Sequence, residues 1–299
     1  MTEITDILRA ELGRLAVALE PNGIPLIIGG GYGLLLRQEH LEHSGIRTVR
    51  RIPAARSTND LDVFLSAEIL TDARKMGSLR DVLHRSGYAP IKGAEHYQFE
   101  KEVTYRGSQR RIKLDLLAPP PRDPELLETV KVDVRRIRNR KTKGIHAHTA
   151  PEAFTVGEEV MVLDPGGAGE FRVRIPHPYS FLLLKLYAYR DRRDDPAKEL
   201  GRYHAFDLYR IVAMMTEEEY EAAQGFRDRF GGEEVVVEAR RIVSDLFADV
   251  DSRGTLALLE HARTVGVTIR DEDLDGFFED LKFFFSRVDL KPSGHPEAR

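Results

Sequence analysis

Cysteine is absent from the 299-residue chain, which excludes disulfides and thiolate metal sites. That absence fits a reducing compartment. Long apolar runs are missing too: "FLLLKLYAY" is short and interrupted by a lysine, far below the length needed to cross a bilayer. Neither sign of charge dominates, because the formal net charge is only −4. Such mild acidity argues against coating nucleic acid with the whole surface, yet leaves local basic patches open. No internal repeat or low-complexity tract is visible. The opening stretch "MTEITDILRAELGRLAVALE" carries charge throughout an amphipathic helical pattern, so neither a signal peptide nor a membrane span is expected there. The expectation is a cytoplasmic protein with no membrane partner.

The length allows two domains or one large one. A first helix is expected from Ile4 to Leu19, ending before the turn signal Pro21-Asn22-Gly23. "IPLIIGGG" reads as a short buried strand running into glycines, and "YGLLLRQEHLEH" as a helix that stops near Ser44-Gly45. A strand follows in "RSTNDLDVFL", then one helix over Ala67 to Ser86. "YQFEKEVTYR" and "RRIKLDLLAP" read as paired strands around Gly107-Ser108. "APPPRDPE" breaks the pattern, and a charged stretch follows to about Ala150. "FTVGEEVMVLDPGGAGEFRVRIP" resembles a hairpin, and from Pro178 onward the pattern is almost entirely helical. This order implies an α+β fold, with a mixed sheet and flanking helices over residues 1–175 and a mostly helical domain over 176–299.

The chemistry is carried by carboxylates. An extended chain sends alternate side chains to opposite faces, so Asp60 and Asp62 share one face while Leu61, Val63 and Leu65 share the other. In "RIKLDLL", Asp115 likewise lies on the polar face, opposite Ile112, Leu114 and Leu116. If the two strands are neighbours, three carboxylates meet on one face, and like charges so close repel. Mg²⁺ would relieve that repulsion, because it prefers carboxylate oxygens together with substrate phosphates. Two such ions would stabilise the attacking and leaving oxygens of an in-line displacement. The glycines of "IIGGGYGLLL" match neither a dinucleotide fingerprint, since Leu34 stands where the last glycine belongs, nor a P-loop, since no lysine follows. What remains is a strand, a glycine turn and a helix start. It can serve as a tight structural turn or bring backbone N–H groups to a phosphate.

Glycine turn, Asp-x-Asp strand and third strand aspartate, in that order, resemble the DNA polymerase β-like nucleotidyltransferase superfamily. The resemblance implies that Gly29 and Gly30 hold phosphate, that Asp60 and Asp62 bind metal, and that Asp115 completes the metal site and helps activate the nucleophile. "FLLLKLYAYRDRRDDPAKELGRYHAFDLYRIV" is similar to the AbiEii/AbiGii-type toxin branch, whose Lys-x-x-x-x-Arg helix and Asp-Leu-Tyr segment match Lys185, Arg190 and Asp207-Leu208-Tyr209. Lys185 stands among apolar neighbours, where an unpaired ammonium is costly, and a triphosphate would supply the counter-charge. Arg190 would add a bidentate phosphate contact. Asp207 would touch the nucleotide, orient Lys185 or cap a local network.

About thirty residues separate the glycines from Asp-x-Asp, an interval long for that branch. It contains "SGIRTVRRIPAARST", with Arg51 and Arg56. A second basic run, "KVDVRRIRNRKTKG", sets seven basic residues, among them Arg136, Arg138 and Arg140, against one acid. Both runs are candidate contacts to an RNA backbone or simply solvated faces. Neither is interleaved with aromatics, so no stacking platform is expected. His146 and His148 alternate as on a strand, with no cysteine or nearby carboxylate to complete a zinc site. The reaction expected is Mg²⁺-dependent transfer of a nucleoside monophosphate from an NTP to RNA, the tRNA 3′ end by the resemblance, in a toxin restrained by a partner antitoxin. The alternatives are an antibiotic nucleotidyltransferase with a small-molecule acceptor and a non-catalytic binding or antitoxin-like module.

Overall fold

Five apolar residues of the first helix, Ile7, Leu8, Leu12, Leu15 and Leu19, recur at helical spacing and are all buried. They belong to α1 (Glu3–Leu19), in a computed structural model that describes residues 3–53, 58–167 and 169–286. Arg56 lies outside the described residues. A turn ending at Gly23, in the left-handed region at φ 64°, leads into β1 (Ile27–Ile28) and α2 (Gly30–Ser44). The strand β2 (Asp60–Phe64) precedes α3 (Ala67–Thr71) and α4 (Ala73–Arg85). The single helix expected over 67–86 is therefore two. Asp72 takes an extended backbone, and its carboxylate caps α4 by accepting from the N–H groups of Arg74 and Lys75.

A short strand β3 (Ala89–Pro90) pairs with β4 (Gln98–Tyr105), which turns back into β5 (Ser108–Ala118). Their two-residue turn, Arg106 at φ 47° and Gly107 at φ 81°, has the positive angles that hairpins favour. The charged stretch after it is structured: α5 (Pro124–Thr129), β6 (Val130–Val132), β7 (Arg136–Asn139) and β8 (Ala147–Thr149). Charge hid these strands because one face only is apolar, and each is too short to display alternation. Ile137 and Ala147 are buried, and the Asn139 amide donates to the carbonyls of Leu70 and Thr71 at 3.1 and 2.6 Å. The expected hairpin follows as β9 (Met161–Leu163) and β10 (Val173–Ile175).

These strands form one mixed sheet in the order β6-β7-β8-β5-β2-β1-β10-β9, with β4 pairing the first part of β5 on the edge where β8 takes over. Leu61, Val63, Ile112, Leu114 and Leu116 are buried on one face. On the other, Phe64 joins Ile27, Ala150, Ala153 and Val156 in a small apolar cluster, with Leu117 and Leu184 against it.

The chain divides into two compact units after Leu184, within α6 (Pro178–Arg192). The boundary expected near 175 falls at the end of β10, one element earlier. Packing explains the difference, since Leu184 belongs to the apolar cluster of the sheet unit. Beyond it stand α7 (Arg202–Ala213), α8 (Glu217–Phe230), α9 (Glu234–Leu246), α10 (Arg253–Thr264) and α11 (Asp271–Phe284). Phe277 of α11 meets the rings of Tyr209 and Phe247 in this unit's core. No described helix is long and apolar enough to cross a membrane.

Candidate active site

Register builds the site. β2 and β5 run parallel with Asp60 opposite Lys113 and Asp62 opposite Asp115. Paired residues share a face, so all three aspartates and Lys113 stand on one side of neighbouring strands about 4.8 Å apart. On the other edge of β5, the antiparallel hairpin sets Gln98 opposite Asp115, and its amide donates to Asp115 Oδ2 at 3.1 Å. Among the described residues, Oδ1 of Asp60 and Oδ1 of Asp115 are buried without a hydrogen-bond partner. Orphaned acceptors of this kind are costly in a folded protein.

Burial pushes Asp115 up to about 7, and the Asp62 and Asp60 carboxylates push the same way. The Gln98 hydrogen bond and the Lys113 ammonium oppose the rise. Near neutral pH Asp115 is thus poised between acid and base.

The glycine turn adjoins these carboxylates. Gly29 donates its N–H to the Asp62 carbonyl at 2.9 Å and opens α2, whose first helical bond runs from Gly33 N–H to Gly29 O at 2.8 Å. The N–H groups of Gly30, Gly31 and Tyr32 therefore have no acceptor inside the helix. Gly30 sits at φ 59°, and a Cβ there would overlap the Asp62 carboxylate; a Cβ on Gly29 would meet the Phe64 ring. Both glycines are needed for close approach, and the helix N-terminus stands directly against Asp62.

Three expectations change. The three aspartates share a face but do not close around one point: no group of three His, Cys, Asp or Glu among the described residues is arranged to hold a metal ion by itself. Asp60 lies two residues along the strand from Asp62, roughly 6.6 Å at the usual rise, and Asp115 lies across from Asp62 on the neighbouring strand, so the carboxylates stand at a corner with Asp62 at its vertex. The second change concerns Lys185. Its ammonium already has a counter-charge, Asp207 Oδ2 at 2.8 Å, and needs no triphosphate to be tolerated. Asp207 takes two of the roles left open for it: fully buried, it holds Lys185 and also accepts from Arg210 at 3.0 Å. Arg190 pairs with Asp191 at 2.8 Å and Glu238 at 3.4 Å and lies over the Tyr187 ring.

Aromatic rings supply the third change. Arg136 stands opposite His148. The rings of Tyr97 and His148 are 5.2 Å apart, and those of His96 and His146 are 4.3 Å apart. Sequence places His96 and Tyr97 about forty residues before Arg136, and His146 and His148 just after the run, so the interleaving comes only from the fold. Arg138 is exposed on β7, Arg140 lies just past its end, and Arg51 is exposed in a segment with no regular structure. Gln98 and Lys113 were missed, although counting back from the Arg106-Gly107 turn sets Gln98 against Asp115, and Lys113 precedes Asp115 by the strand period of two.

No protein-family model matches the chain, and no curated protein matches it. Among solved structures, an antigenic nucleotidyltransferase-like protein from Paracoccidioides brasiliensis aligns over 93% of each chain, at 14% identity and a TM-score of 0.41. A likeness that loose carries no argument about family or reaction.

Proposed function

We propose that the chain is a polymerase β-like nucleotidyltransferase that moves a nucleoside monophosphate from an NTP to an RNA acceptor and releases pyrophosphate. The single observation that carries the reading is the pairing of Asp62 with Asp115 beside Asp60, with the N-terminus of α2 against Asp62. In this reading the free N–H groups of Gly30 and Gly31 receive the β- and γ-phosphates of the NTP, favoured by the helix dipole. The acceptor hydroxyl oxygen forms a bond to the α-phosphorus as the bond to the bridging oxygen breaks. Asp115 takes the hydroxyl proton. Asp60 and Asp62 would hold Mg²⁺, and the orphaned oxygens of Asp60 and Asp115 fit a hard cation that also takes phosphate oxygens. Bound there, Mg²⁺ supplies neutralisation of the charge that builds on the phosphate oxygens.

The same reading includes the AbiEii/AbiGii-type toxin branch, the tRNA 3′ end as acceptor and a restraining antitoxin. These rest on the sequence resemblance and on the basic strands β6 and β7 at one end of the site's own sheet. Incubation of the protein with each labelled NTP, Mg²⁺ and total RNA tests it. Label should enter RNA, and Asp60→Asn or Asp62→Asn should abolish transfer while the melting temperature holds. Transfer that survives either change would sink the assignment.

A further inference from the structure

The aspartate face continues past Asp115. Leu117 of β5 stands opposite His148 of β8, His148 opposite Arg136 of β7, and Arg138 opposite Lys131 of β6. Since partners share a face, one surface carries the carboxylates, then an imidazole, then a cluster of cations, each a strand further out. Beside His148 stands the Tyr97 ring, and His96 and His146 form the second ring pair. His96 and Tyr97 directly precede Gln98, the residue that holds Asp115. His146 is buried, and its Nδ1 has no hydrogen-bond partner among the described residues. Tyr97, His96 and His148 are half-buried and Arg138 is exposed, so a ligand can reach them.

Sheet order gives this surface a side. The glycine turn follows β1, which borders β2 on one edge, whereas the rings and arginines lie beyond β5 on the other. An in-line displacement needs its attacking and leaving oxygens on opposite sides of the phosphorus. With pyrophosphate leaving on the glycine side, the acceptor enters from the side of the rings.

We propose that Tyr97, His148, Arg136 and Arg138 form the acceptor subsite, which takes the last nucleotides of a single-stranded RNA end with bases on the rings and phosphates on the arginines. The proposal rests on the transferase reading for the direction of entry, and its binding chemistry can be tested apart from transfer. Rings beside cations suit nucleotides, because every base has a face to stack and every linkage carries a charge. They favour a single strand over a duplex, whose bases are already stacked on one another.

A fluorescently labelled single-stranded RNA dodecamer, titrated with full-length protein at low salt without NTP or Mg²⁺, tests this by anisotropy. Wild type should bind it more tightly than a blunt duplex of the same sequence. Tyr97→Leu with His148→Leu should weaken binding about tenfold or more, the usual effect of losing a stacked base. Tyr97→Phe, which keeps the ring, should bind as wild type, and each single change should give an intermediate loss if the double variant fails to fold. Asp62→Asn should bind at least as well as wild type, since a repelling charge is gone. Undiminished binding in folded Leu variants, or equal binding of duplex and single strand, overturns the subsite. Binding that follows the rings while no NTP yields transfer keeps the subsite and defeats the transferase. Transfer to a protein or small molecule, undiminished in the ring variants, keeps the transferase and defeats the subsite.

Discussion

Asp115 holds its proton far above the ordinary aspartate range, up to about 7, chiefly because it is buried and next because Asp62 faces it. The sign of the linkage follows. Between the ordinary aspartate value near 3.8 and about 7 the folded chain binds more protons than the unfolded one. Stability is therefore lost as pH rises through that window. His146 acts in the opposite direction: burial, with help from His96, Arg136 and Arg138, lowers it to about 4. Its contribution is present above the ordinary histidine range and is lost as pH falls toward 4. Only a variant-minus-wild-type difference isolates Asp115. Asp115→Asn should stabilise the metal-free protein by on the order of 1–3 kcal/mol at pH 8, below the full linkage value because the site is partly open to water, and by nearly nothing at pH 4. Urea unfolding across that pH range measures it, and an equal effect at both ends would remove burial and Asp62 as the cause. Gly30→Ala tests the neighbouring contact. The added Cβ meets the Asp62 carboxylate at a left-handed backbone position, so a stability loss of about 1 kcal/mol or more should accompany loss of NMP transfer. A fully active Gly30→Ala protein would mean that the turn has no need to lie against Asp62.

The second unit's part of α6 is joined to α7 by buried charge. Lys185 on α6 and Arg210 on α7 both pair with Asp207, and all three side chains are buried. Removing the shared anion takes a buried counter-charge from two buried cations, so Asp207→Ala should cost about 3–5 kcal/mol. Thermal unfolding without nucleotide measures that loss. If Asp207→Ala were instead as stable as wild type and only NTP binding fell, the network would be a ligand site and not a helix clamp. The sequence "FLLLKLYAY" displayed the lysine among apolar neighbours, but a salt bridge across 22 residues leaves no local pattern, so Asp207 as its partner stood only as one of several readings. The same distinction sorts the sheet. β2 and β5 were legible through the alternation of Leu61 and Val63 with aspartates, and the long helices through their apolar periods. β6 to β8 were not, because each has three or four residues and its place depends on partners such as Leu70 and Thr71, which receive the Asn139 amide. The aspartate triad was legible as three residues on strands. The place of Asp115 directly across from Asp62 was not, since that depends on the register of β2 against β5.

At the scale of the molecule the net charge is −4, so a polyanionic acceptor gains nothing from the surface as a whole and must be held where cations are concentrated. The β6–β7 edge is such a place. Lys131 and Arg138 face each other in register, and Arg136 follows on the same face next to His148. Arg136 is partly engaged by Asp133 at 3.5 Å, an exposed pair that a phosphate can outcompete, because exposed ion pairs are worth at most about 1 kcal/mol. Each cation that neutralises a phosphate releases counterions, which makes binding fall with salt in proportion to the contacts made. Reversing Arg136 and Arg138 to Glu should therefore weaken RNA binding most at low salt. It should also flatten the salt dependence by about 1.4 in the slope of log affinity against log salt, roughly 0.7 for each single-strand contact removed. The deficit should shrink as salt rises from about 50 to 200 mM, because wild type loses its extra contacts over that range. NTP binding should stay unchanged, since the phosphates of the NTP are assigned to the far side of the carboxylates. Anisotropy at several salt concentrations, run beside a labelled-NTP binding assay, separates the outcomes. An unchanged slope would exclude these two arginines from the phosphate path, and a matching loss of NTP affinity would mean that the reversed charges act on the active site itself.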